Sequence, residues 1–71
     1  MLDLHGVKHQ EVHRLIDVAI WEHIKKGYTT LTVVTGSSPE MKNLVRECVS
    51  DYAGMSCRED FSNGASLIIE L

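Results

Sequence analysis

A carboxylate and an imidazole, Asp3 and His5, stand two residues apart at the start of the chain. They alternate with Leu2 and Leu4, so Met1–His5 reads as a strand with one oily face and one polar face. Side chains two apart on a strand leave the same face, about 6–7 Å apart at the backbone. A carboxylate so placed can orient an imidazole or favour its charged form, and an imidazole titrates near neutrality. This is the equipment of general acid–base chemistry, such as phosphodiester cleavage. The plainer reading is a strand-end pair that only hydrogen-bonds neighbouring loops.

A second group with chemical potential is Thr35-Gly36-Ser37-Ser38. It lies between a β-branched segment and an amphipathic one, so it joins a strand end to a helix N-terminus. Free backbone N–H groups and the helix dipole make such a junction an anion site. Gly36 permits close approach or positive φ, and Ser37 and Ser38 add hydroxyls. The alternative is an ordinary helix cap.

The elements that must position these residues follow from periodicity. Between Lys8 and Lys26, Val12, Leu15, Ile16, Ala19, Ile20 and Ile24 recur at helical spacing, with His23 inside the same stripe. Gly27 after two lysines is a helix C-terminus. Thr30–Thr35 is a short β-branched strand. Pro39–Tyr52 carries the stripe Met41, Leu44, Val45, Cys48, Val49 and Tyr52, and Gly54 closes it. That helix starts with Ser38 as cap and Pro39 at the first helical position, or with a Ser37/Glu40 capping box. Met55–Phe61 is a polar strand, Asn63-Gly64 a turn, and Ala65–Leu71 the most apolar strand.

The order is therefore β-α-β-α-β-β. Right-handed crossovers and one oily stripe per helix predict a two-layer α/β sandwich: a four-stranded mixed sheet with two helices on one face. The oily last strand belongs inside and the charged third strand at an edge. Asp3 and His5 then face away from the helices. Strand–loop–helix units bind ligands at the end of the sheet that carries both candidate groups.

The totals narrow the function. Seventy-one residues make one domain, read here as a stand-alone unit over residues 1–71. A net charge of −3 argues against a strong non-specific grip on nucleic acid, though not against a local basic patch. Cys48 and Cys57 lack metal or disulfide spacing and read as reduced thiols. With no signal peptide and no long apolar run, the expectation is a cytoplasmic protein with no membrane partner. His9 and His13 are four apart on one helix face, but no acidic residue completes a metal signature. No cofactor is implied, and a divalent metal is left open, since no ligand set in the sequence spells one. Trp21 points roughly 160° from the apolar stripe, beside Arg14, Val18 and Lys25. Its outer face suits a homodimer or partner-protein contact, base stacking, or a solitary surface aromatic.

At these residues the chain resembles the Smr (small MutS-related) domain family. Leu2-Asp3-Leu4-His5-Gly6 followed by a long amphipathic helix matches the family's opening motif. Lys26-Gly27-Tyr28, Thr35-Gly36-Ser37-Ser38, and Asn63-Gly64-Ala65 before a hydrophobic strand follow in the family's order. The resemblance implies a fold similar to the C-terminal domain of translation initiation factor 3. It further implies binding to DNA or RNA and, in several members, endonuclease or nicking activity. Carried across, it points to Asp3 and His5 as the active pair, and to Gly6, Thr35, Gly36, Ser37, Ser38 and Gly64 as backbone-binding positions. The chain departs from the family where Ser37 and Ser38 replace a cation and a second glycine, and where the last turn has a single glycine. A non-catalytic binding or dimerisation module with the same fold is the competing expectation.

Overall fold

The structure, a computed structural model, describes residues 1–62 and 64–71. The elements run β1 (Leu2–Asp3), α1 (His9–Lys25), β2 (Thr30–Val34), α2 (Pro39–Ser50), β3 (Ser56–Glu59) and β4 (Ser66–Glu70). Across the sheet the order is β1-β2-β4-β3. β1 pairs with β2 in parallel, and both pairings of β4 are antiparallel. The apolar last strand is interior and the charged third strand is an edge, as the burial argument requires.

Register assigns the faces. Leu2 lies beside Val33, Val33 beside Leu67, and Leu31 beside Ile69. Leu31, Val33, Leu67 and Ile69 are buried and meet the buried residues of both helices. From α1 these are Val12, Ile16, Ala19 and Ile20; from α2 they are Met41, Val45, Cys48 and Val49. One sheet face therefore carries the core. The other carries Asp3, Thr32, Val34, Arg58, Ser66 and Ile68.

Local signals set the boundaries. Ser38 caps α2: its hydroxyl accepts the Met41 N–H at 3.2 Å, with Pro39 in the first turn. The Ser37/Glu40 box is not used. After α1, Gly27 adopts φ 82°, a conformation costly for residues with a Cβ. All six elements are shorter than expected, β1 and β3 the most. β1 is Leu2–Asp3 because the Leu4 carbonyl turns from the ladder to accept the Val7 N–H, although the Leu4 N–H still bonds the Val34 carbonyl. β3 is confined to Ser56–Glu59, and α2 stops at Ser50. Asn63 of the expected turn lies outside the described residues, while Gly64 and Ala65 lie in a turn.

Ile24 does not join the core; it is 40% exposed. Each step of four residues overshoots a full turn by about 40°. The row Val12–Ile16–Ile20–Ile24 thus slides off the buried face by its last member. His23 takes that place, half-buried, with Nδ1 2.9 Å from the Ala19 carbonyl and its ring tilted against Tyr28. The end of α2 is tied to the middle of α1 by the Tyr52 hydroxyl, which donates to the Asp17 carboxylate. Among the described residues, no helix is long and apolar enough to cross a membrane.

Two outcomes are expected. Ile16→Ala should cost about 2–5 kcal/mol in chemical denaturation, and Ile24→Ala under about 0.5 kcal/mol. The Asp17 hydrogen bond, with burial second, pushes the Tyr52 phenol up to about 12. The folded state therefore favours the protonated phenol, so this contribution is complete below the ordinary tyrosine value near pH 10 and is lost as pH rises toward about 12. Phenolate absorbance should show one late-ionising tyrosine, and Tyr52→Phe should remove it.

Candidate functional site

The parallel pairing of β1 and β2 brings both strand ends, and the helix that follows each, to one edge of the sheet. His5 and Gly36 leave that edge together. Gly36 has φ 70°, and a Cβ there would lie 3.2 Å from Cδ2 of His5. The imidazole thus rests against the glycine that opens the loop into α2. The first motif and the loop, expected at the same end, form one surface.

Asp3 acts on this surface differently than expected. Its Oδ1 accepts the backbone N–H of His5 at 2.9 Å. The carboxylate therefore braces the turn that carries the imidazole instead of bonding the ring. Gly6, at φ 76°, completes that turn, and the Val7 N–H closes it onto the Leu4 carbonyl at 3.0 Å. His5, Gly6, Ser37, Ser38 and Gly64 are exposed.

The loop's donors are partly spent. The N–H groups of Thr35 and Gly36 both donate to the Ala65 carbonyl, at 2.8 and 3.1 Å. The buried Thr35 hydroxyl donates to the Gly36 carbonyl at 2.8 Å and lies 3.2 Å from the Ala65 carbonyl. These groups stitch the loop to the start of β4. The Ser38 oxygen accepts the cap hydrogen bond from the Met41 N–H, a bond that does not use its own O–H. The outward-facing donors of the loop therefore begin at Ser37, where the dipole of α2 is positive. α1 starts at the same edge after Lys8, whose side chain makes no cap hydrogen bond.

Two residues that sequence reasoning missed stand at this edge. Lys42, one turn into α2, donates from Nζ to the Gly64 carbonyl at 2.7 Å and lies 3.4 Å from Glu59. It braces the Gly64 turn beside the loop, its charge matched by Glu59. Nothing in the sequence signals a contact spanning 22 residues. Phe61, 93% exposed, sits in the β3–β4 turn, which opens on this edge because Ser66 pairs with Val34. A lone aromatic between Asp60 and Ser62 was the available signal.

The remaining candidates lie elsewhere. Trp21, with Arg14 and Lys25, is on the outer face of α1, about 18 Å down the helix axis from His9. His9 and His13 line a groove between the helices with Glu47, Cys48 and Asp51. His13 faces Asp17 at 3.6 Å. Among the described residues, no group of three His, Cys, Asp or Glu could hold a metal ion. Cys48 and Cys57 are free, and burial pushes both thiols up. Carboxylates of Asp17, Asp51 and Glu47 reinforce this at Cys48, and Arg46 opposes it at Cys57. Both thiols therefore stay protonated near neutrality and are poor nucleophiles.

The His5–Gly36 contact makes a controlled comparison available. Gly36→Ala and Gly54→Ala both force positive φ on alanine, at about 1–2 kcal/mol. Only Gly36→Ala also drives a methyl toward the imidazole, since nothing lies within 4 Å of a Cβ at Gly54. The His5 ring signals in proton NMR should move with Gly36→Ala and stay in place with Gly54→Ala.

The Smr domain family model matches residues 2–63. No curated protein and no solved structure matches the chain significantly. The match takes in the Asp3–Gly6 turn, both helices, and the Thr35–Ser38 loop that His5 touches. The chain belongs to the Smr domain family.

Proposed function

We propose that this Smr domain binds nucleic acid at the His5–Gly36 edge and cleaves its phosphodiester backbone as an endonuclease. The observation that carries the reading is the placement of an exposed imidazole against the glycine of a helix-N-terminal loop. A phosphate held by the Ser37 donors and the α2 dipole would lie beside an imidazole, a group that can take or give a proton. His5 takes the proton from the attacking hydroxyl, of water or of a ribose, or gives one to the departing oxygen. Asp3 is a positioning residue, holding the turn through the His5 N–H. Lys42 holds the Gly64 turn against the loop, and Phe61 offers a face on which a base can stack.

One observation favours a second reading, a non-catalytic binding module. Asp3 accepts the His5 backbone N–H, and among the described residues no carboxylate is hydrogen-bonded to the imidazole as in a proton-relay pair.

Labelled RNA and DNA, single- and double-stranded, separate the readings. Wild type should cleave at least one of them, and His5→Ala should slow cleavage by about 10²–10⁴-fold with the melting temperature unchanged. Asp3→Asn keeps a carbonyl oxygen for the turn and should lose less. Ser37→Lys should steepen the dependence of log K on log salt by nearly one unit, as one added phosphate contact does. Salt-sensitive binding without cleavage, with or without divalent metal, would establish the binding module. Absence of both would defeat the nucleic-acid reading.

A further inference from the structure

We propose that this chain self-associates through the outer face of α1 as an antiparallel two-fold dimer with Val18 on the axis. The face is apolar at its centre. Val18 and Trp21 are 48% and 58% exposed, and Leu15 beside them is only partly covered by the core. At about 100° per residue, Leu15, Val18 and Trp21 fall within roughly 60° of one line down the helix. So do four charges: Glu11 and Arg14 on the N-terminal side of Val18, Glu22 and Lys25 on the C-terminal side.

The order of those charges selects the partner and its direction. A two-fold interface is self-complementary, so each residue must tolerate its mate on an identical surface. In a parallel pair each charge would meet itself. In an antiparallel pair centred between Val18 and Trp21, Arg14 would meet Lys25. Centred on Val18, the pairing sets Glu11 against Lys25, Arg14 against Glu22, and Leu15 against Trp21. Every charge then meets its opposite around an apolar centre, an arrangement that also disfavours the other registers. Arg14 already pairs with Glu11 on its own helix, at 2.9 Å, which holds the guanidinium on this face. The occupant that fits is a second copy of this chain.

The helix is about 25 Å long, so one helix on another makes an interface at the small end of specific ones, about 1,200 Å² or less in total. The dimer is therefore a weak one. It leaves the His5–Gly36 edge uncovered and puts the two copies of that edge at opposite ends of the paired helices. On the nucleic-acid reading above, one strand touching both edges would be held by avidity.

Sedimentation velocity from about 10 μM to about 1 mM tests this without nucleic acid, in the range where a weak dimer dissociates. The mass should rise from one chain to two. Emission of Trp21, the single tryptophan, should shift to the blue over the same range. Trp21→Ala should raise the dissociation constant about tenfold or more, as loss of a central aromatic does. Arg14→Glu and Glu22→Arg should each weaken the dimer, and combining them should restore it to within about threefold of wild type. Circular dichroism melts confirm that each variant is folded. A monomer at every concentration overturns the proposal. So does a dimer indifferent to Trp21→Ala, or a double reversal no better than either single one. None of these results bears on cleavage or binding at His5, which are measured separately.

Discussion

Leu4 fixes the candidate site. Its side chain is fully buried, its N–H donates to the Val34 carbonyl at 2.7 Å, and its carbonyl accepts the Val7 N–H. Burying a leucine contributes roughly 1.5–3 kcal/mol, so the residue does not leave the core without a large cost. With Leu4 held inward, the chain must turn outward at His5. Gly6 makes the turn possible at positive φ, and Asp3 secures it by accepting the His5 N–H. The segment Asp3-Leu4-His5-Gly6 is thus one mechanical device: an apolar anchor, a brace, a presented imidazole and a hinge. The imidazole emerges over Gly36 because Leu4 follows the β1–β2 pairing, which also delivers Val34 and the loop.

The loop facing that imidazole is held rigid. Two N–H groups and a hydroxyl converge on the segment around Ala65, and Lys42 reaches across to Gly64. The β2–α2 loop and the β3–β4 turn are therefore bound to each other. The Thr35 and Gly36 N–H groups are spent on that bracing, and the outward-facing donors begin at Ser37. A rigid rim suits a site in which reacting groups must be held at fixed separation.

Much of the fold was legible because it rests on local periodicity and on hydrophobic contrast. The β4 run Ser66–Glu70 could hardly lie anywhere but inside, and the Ser56–Glu59 segment could hardly lie anywhere but at an edge. The stripe of α1 was readable up to Ile20 and misled at Ile24, since spacing by four drifts around a helix while the eye keeps counting it as one row. At the candidate site, residue types placed the first motif and the loop at one edge of the sheet, where His5 and Gly36 do meet, but hydrogen-bond partners could not be read. Whether Asp3 meets the imidazole or the backbone turns on where Leu4 anchors the chain. Whether Thr35 and Gly36 keep free donors depends on Ala65, thirty residues away in the case of Thr35. Such choices are made by tertiary register, which no local pattern encodes.

The electrostatics impose a last constraint on what this edge can hold. The chain carries −3 overall, and Glu59 lies within 4 Å of both Lys42 and Arg46. The positive potential at the edge therefore comes mainly from the N-termini of two helices, each equivalent to about half a charge and fading within one turn. Such a field acts on a phosphate seated in the loop and hardly at all on its neighbours. On the proposed reading, a nucleic acid at this edge would be gripped at a point, with few counterions released. Selectivity at a point must come from local shape: an unstacked base for the exposed ring of Phe61, or a backbone bent enough to reach past His5 into the loop.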